Sequence, residues 1–129
     1  MTGCQTFSLP ILRLQLLLPV PEADFIAQSL LPSEDGEAWR LRFLALKARL
    51  RDAPRVADEE LGALPPGADP WERGNAWMLR TAMAHGAGKL HLIALWDGGG
   101  GDGPGGTRHM VHEVERHGAR VHWIDTRSL

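Results

Sequence analysis

Cysteine is almost missing from this chain: its 129 residues include one, Cys4. A single thiol excludes an internal disulfide framework and suits a reducing compartment. Long hydrophobic runs are missing too. The most apolar stretch, Ile11 to Val20 (ILRLQLLLPV), is too short to span a bilayer, is broken by Arg13 and Gln15, and has no basic region ahead of it. It therefore reads as a buried strand rather than an anchor or leader, and the expected location is cytoplasmic. Nor is there an excess of either charge. A formal net charge of −2 leaves no electrostatic footprint for nucleic acid or an anionic membrane.

Several motifs are absent as well. The glycine-rich stretch does not end in Gly-Lys-Ser/Thr, so there is no Walker loop, and too little chain follows it for a dinucleotide fingerprint with its distant acidic residue. No nucleophile-elbow motif supports a Ser/His/Asp set. His112 and His117 lie five apart, roughly 140° around a helix at 3.6 residues per turn, so they do not reproduce a zinc-binding HExxH pair. His109 and His112 can share a face but lack a third ligand. The expectation is that no metal binds.

What the chain does have is glycine in one place. Seven of the nine residues from Gly98 to Gly106 are glycine. An apolar strand signal, Lys89 to Trp96, runs into this stretch, and a helix signal with Met110, Val111 and Val114 on one side leaves it near Thr107. Backbone N–H groups at a helix start have no intrahelical partner and carry partial positive charge. Glycine lets the backbone approach a ligand closely. A strand, a glycine loop and a helix start in that order make a place for an anion, although a flexible linker has the same composition.

The remaining signals alternate strand and helix. Leu12 to Leu18 reads as a strand ended by Pro19 and Pro21. Glu22 to Leu30 reads as a short helix stopped by Pro32, and Ser33 to Asp52 as a longer one. Trp39, Phe43, Leu46 and Leu50 recur there at helical spacing as an expected buried stripe, more suited to a core than to stacking bases. Arg55 to Asp58 is a weak strand, and Leu61 to Asp69 a loop rich in proline and glycine. Asp69-Pro70-Trp71-Glu72 is a capped helix start, and Asn75, Met78, Leu79, Ala82 and Met83 follow on one face. Asn75, polar on that apolar stripe, needs hydrogen bonds from neighbours or from a ligand. Gly118 caps the helix before it, and a last strand covers Ala119 to Asp125. Residues 1 to 129 thus form one α/β domain with parallel βαβ connections and a three-layer sandwich.

Leu16-Leu17-Leu18-Pro19 with Phe25 and Ser29, Gly74-Asn75-Ala76-Trp77, Ala94-Leu95-Trp96-Asp97-Gly98, Gly101-Asp102-Gly103-Pro104-Gly105-Gly106-Thr107 and the strand ending at Asp125 together give a pattern. It resembles the C-terminal half of a bacterial Rossmann-like domain of the SLOG and nucleoside 2-deoxyribosyltransferase-like type, found in signalling proteins beside tetratricopeptide repeats or cyclase domains. The resemblance implies a mainly parallel sheet of about four strands flanked by helices, without the first two β-α units of the full domain. On that view the chain is a fragment whose open sheet edge is covered by a missing N-terminal segment or a partner chain.

The resemblance further implies a site for a nucleotide or nucleotide-derived phosphate compound at Asp97, Gly98, Asp102, Gly103, Gly105, Gly106 and Thr107, with Asn75 added. The Lonely-Guy-type phosphoribohydrolases of that group carry PGGxGTxxE, whereas here Met110 stands three residues after Thr107. The expected function is therefore ligand sensing without a complete catalytic set. The alternatives are an N-glycosidic-bond-cleaving enzyme using Asp97 or Asp102, or a protein-interaction fragment.

Overall fold

The computed structural model describes residues 13–99 and 106–129. It contains mixed helices and short parallel strands, an α/β arrangement. In chain order these are β1 (Leu17–Leu18), α1 (Glu22–Phe25, continued by a wider turn over Ile26–Leu30), α2 (Gly36–Arg49), β2 (Arg55–Val56), α3 (Ala57–Leu61), α4 (Pro70–Met83), β3 (His91–Trp96), α5 (Thr107–Arg116) and β4 (Arg120–Asp125). Both strand pairings are parallel, β1 with β2 and β3 with β4. They form two separate two-stranded sheets.

Two expected strands are shorter than their apolar runs. Of Leu12 to Leu18, the ladder uses Leu17–Leu18, extended by the Arg55 N–H donating to the Leu16 carbonyl at 2.8 Å. Of Arg55 to Asp58 it uses Arg55–Val56, because Ala57 already begins α3, whose first turn collects Asp58, Glu59 and Glu60 at the positive end of the helix. A strand ends where its partner turns away, so β1 is limited by β2.

The second half is built on β3, β4 and α5. Register pairs Leu92 with Val121, Ala94 with Trp123 and Trp96 with Asp125 on one face of the β3–β4 sheet. Leu79 of α4 packs with Met110 and Val114 of α5, and Met83, Leu90, Leu92, Ala119 and Val121 surround them. The expected stripe of α5 is realised, since Met110, Val111 and Val114 are all buried. Gly118 follows at φ +78°. That left-handed conformation ends a helix at little cost only in glycine. The opposite face of β3 is open, with Ile93 66% exposed.

The helical stripes need correction. Of the α2 set only Phe43 is buried, while Trp39 and Leu46 stay 46% and 41% exposed. Phe43 meets the Phe25 ring at 5.4 Å between centroids, but a sheet of two-residue strands is too small to cover the rest. The Arg42 guanidinium lies 4.7 Å over the Trp39 ring instead. In α4 the most buried residues are Gly74, Trp77 and Leu79, not the full set from Asn75 to Met83, and Met78 is exposed. That helix is contacted from two sides. Leu79 faces the α5 core, whereas Gly74 abuts Pro19 and Trp77 lies under the Arg55 guanidinium, 5.5 Å from the ring centre. Among the described residues no helix is long and apolar enough to cross a membrane.

Candidate functional site

Three elements position the candidate residues. Helix α4 starts as its residues dictate: the Asp69 carboxylate accepts the Trp71 N–H at 3.0 Å and Pro70 occupies the first turn. Its first turns are pinned sideways. Arg73 donates to the Gly62 carbonyl at 3.0 Å and to Asp58 at 2.9 Å, and a Cβ on Gly74 would fall 2.5 Å from the Pro19 Cβ. Asn75, the next residue, is thereby held at a fixed depth.

Strand β3 delivers Asp97 and Gly98, and both have structural work to do. One carboxylate oxygen of Asp97 accepts the Gly99 N–H at 2.8 Å, the side-chain turn that aspartate makes readily. Gly98 sits at φ +87°, and a Cβ there would lie 3.3 Å from Cζ2 of Trp123. Any other residue would be strained by its backbone and pressed against the indole. Two indoles fasten this segment. Trp123 Nε1 donates to the Trp96 carbonyl at 2.7 Å, and Trp96 Nε1 donates to the Gly99 carbonyl at 2.8 Å. Their ring centres are 5.6 Å apart at 47°.

Helix α5 begins at Thr107, with Gly106 in extended backbone at its cap. Asn75 and Thr107 line one cavity of about 230 Å³, together with Met78, Met110 and the β3 residues Leu92 to Leu95. Both are half-buried. The structure therefore brings Asn75 and Thr107 together, and it sets Asp97 and Gly98 beside Trp123 rather than in that cavity. Asp102, Gly103 and Gly105 lie outside the described residues, as do Cys4 and Pro104.

Arg127 joins the Asp97 end of the site, a residue that sequence reasoning missed. Its Nε donates to Asp125 Oδ1 at 2.9 Å and its Nη2 to Asp125 Oδ2 at 2.7 Å. That fork holds the Asp125 carboxyl below the usual aspartate range and raises Arg127, with Asp97 adding a smaller upward pull on the guanidinium. The available signal was the spacing: an arginine two residues after the last strand aspartate can fold back on it. The clamp of Trp96 and Trp123 had no local signal, since its two members are far apart in sequence.

The α5 histidines do not assemble a metal centre. His109 lies 3.8 Å from Glu113, whose carboxyl is lowered chiefly by its hydrogen bond from Arg116. Among the described residues no group of three or more His, Cys, Asp or Glu side chains is placed to hold a metal ion. Compared with protein-family models, curated proteins and solved structures, the chain has no significant match.

Proposed function

We propose that the chain is a ligand-sensing α/β domain that binds a nucleotide or nucleotide-derived phosphate compound where β3 passes into α5. The observation that carries this reading is the shared cavity of Asn75 and Thr107. Asn75 is a polar residue of α4, and Thr107 opens a helix whose first amides have no intrahelical acceptor. At about 230 Å³ the cavity suits a small group such as one phosphate with its neighbouring hydroxyls.

In this reading the two separate strand pairs belong to one layer of a three-layer α/β sandwich, in the order β2-β1-β3-β4, with the Rossmann-like ancestry that the glycine-loop pattern resembles. Between the two pairs lies a cavity of about 710 Å³ lined by Arg13, Leu14, Gln15, Leu17 and His91 together with α4 residues such as Met78. That order puts the switch point between β1 and β3, where open α/β sheets take their ligands beyond the strand ends. The Asn75 and Thr107 cavity lies along β3 at that side.

The glycosidic-bond-cleaving alternative is less well supported. It needs a carboxylate beside the sugar. No carboxylate is among the described residues lining the cavity, and one Asp97 oxygen is engaged by the Gly99 amide. Calorimetric titration of the wild type and Gly106→Trp with NAD and ADP-ribose tests the sensing reading. Binding by the wild type that is lost in the variant is expected; equal, negligible heat from both removes the proposal.

A further inference from the structure

Helices α4 and α5 leave a groove of about 400 Å³ between them, a size in the range of small-molecule sites. Its apolar lining comes from Leu79 and Met110, both buried, and from half-buried Met83. All three belong to the cluster around Val114, so this lining is held by the core. The groove stays open because exposed Ala76 stands midway between Glu72 and Arg80, about one helical turn from each. A longer side chain at that position would fill it.

The polar groups of the lining are opposite in charge and are not spent on each other. Arg80 follows Leu79 on α4 and Glu113 precedes Val114 on α5, so the packing of Leu79 with Val114 brings both residues to about the same level. Among the described residues the Arg80 guanidinium has no hydrogen-bond or ion-pair partner. Glu113 keeps one oxygen available. Its Oε2 accepts Arg116 Nη2 at 2.6 Å, whereas its Oε1 lies 3.8 Å from His109 Nε2, beyond hydrogen-bond range. The bond from Arg116 holds this carboxyl below the usual glutamate range, so it is ionised at neutral pH. His109 lines the same groove, and its Nδ1 is buried without a hydrogen-bond partner, a state that a polar ligand group would relieve.

These charges discriminate between ligands. A polyanion would meet two carboxylates, Glu72 and Glu113, against one guanidinium. A simple cation would leave Arg80 unpaired. Glu72 lies in the first turn of α4, where the positive end of the helix favours its charge, which leaves Arg80 and Glu113 as the pair to be bridged. A molecule with a carboxylate and an ammonium on either side of one carbon, and an apolar chain on that carbon, matches both charges and the apolar lining.

We infer that the α4–α5 groove is a site for a free apolar α-amino acid, its carboxylate on Arg80, its ammonium on Glu113 Oε1 and its side chain over Leu79, Met83 and Met110. This site goes beyond the nucleotide reading and does not depend on it.

Calorimetric titration of the full chain tests the assignment, with leucine and with the two compounds that each lack one of its charges, 4-methylpentanoate and 3-methylbutylamine. The wild type should bind leucine at least about tenfold more tightly than either, the least that one hydrogen bond to a charged group contributes. Arg80→Gln should lower leucine affinity to the level of 3-methylbutylamine while leaving the amine's own affinity unchanged. Because Arg80 is exposed and unpaired, its Tm should match the wild type. Ala76→Phe, also at an exposed position, should abolish binding by filling the groove. Equal affinity of the wild type for leucine and 4-methylpentanoate overturns the inference, as does leucine binding that survives Arg80→Gln. Absence of heat with leucine, methionine and phenylalanine alike at millimolar concentration removes the site altogether. None of these outcomes bears on titration with NAD or ADP-ribose, so the two proposals can fail separately.

Discussion

Gly74 offers the sharpest test of how α4 is seated, because two opposing effects of known size meet at one atom. In the interior of a helix, glycine to alanine ordinarily stabilises by about 1 kcal/mol. Here the added methyl would fall 2.5 Å from Pro19 Cβ and 3.2 Å from Pro19 Cα. The proline ring and its backbone cannot rotate away, so relief requires α4 to lift off the loop after β1. Overpacking of this kind costs about 1–3 kcal/mol, which exceeds the propensity gain over most of its range. Gly74→Ala is therefore expected to lower stability by roughly 1 kcal/mol, a drop in Tm of about 3–5 °C for a chain of this size. Gly88→Ala is the control: a Cβ there meets nothing within 4 Å, and the change should be neutral or stabilising by a few tenths of a kcal/mol. Thermal unfolding followed by circular dichroism reads both. A Tm for Gly74→Ala at or above the wild type would refute the close approach of α4 to Pro19, and with it the argument that fixes Asn75.

Val114 is 1% exposed at the centre of the β3–β4–α5 core, so Val114→Ala should cost about 1.5–3 kcal/mol in a urea melt; a loss below 0.5 kcal/mol would mean that this core is not packed. Acid should weaken the fold with a defined sign. Asp125, Glu113, Glu60 and Glu37 are all held below their ordinary values of 3.8 and 4.5, first by hydrogen bonds from Arg127, Arg116, Arg55 and Arg40 respectively. Their stabilisation is complete above those ordinary values and is lost as pH falls through the lower folded-state ones. Through these four carboxylates Tm should fall as pH drops below about 4.5, modestly because the pairs are exposed; a Tm that rises over that acid interval would contradict the assignment.

The parts of the fold legible in sequence are those whose cause is local. Asp69-Pro70 carries its own cap, the spacing of Met110, Val111 and Val114 states which side of α5 is apolar, and Gly118 supplies the left-handed residue that lets β4 follow. The parts that were not legible depend on partners far along the chain. The α2 stripe shows a helix that wants cover, but whether a sheet lies there is decided by how soon β2 turns into α3 at Ala57. Of the candidate site, Asn75 and Thr107 are grouped only by the resemblance, and the strand and helix order gives no reason for them to share a cavity. The fastening of the loop was not legible either, because Trp96 and Trp123 meet only once β3 and β4 are in register.

That register also explains why the site belongs to the better-held half of the molecule. Thr107 opens the helix that carries Met110 and Val114 into the core, and Asn75 lies one turn before Leu79, which closes that core from α4. The geometry of the cavity is therefore coupled to the packing of Leu79, Met110 and Val114, so loosening that core should weaken ligand binding as well as stability. The β1–β2 half reaches α4 through Pro19 against Gly74, Arg55 over Trp77 and Asp58 with Arg73, and its α2 stripe is largely unburied. Changes in α2 such as Leu46→Ala should thus leave binding unaltered. On the sensing reading proposed above, one part would hold the ligand and another would change its contacts, and the two halves differ in packing in that way.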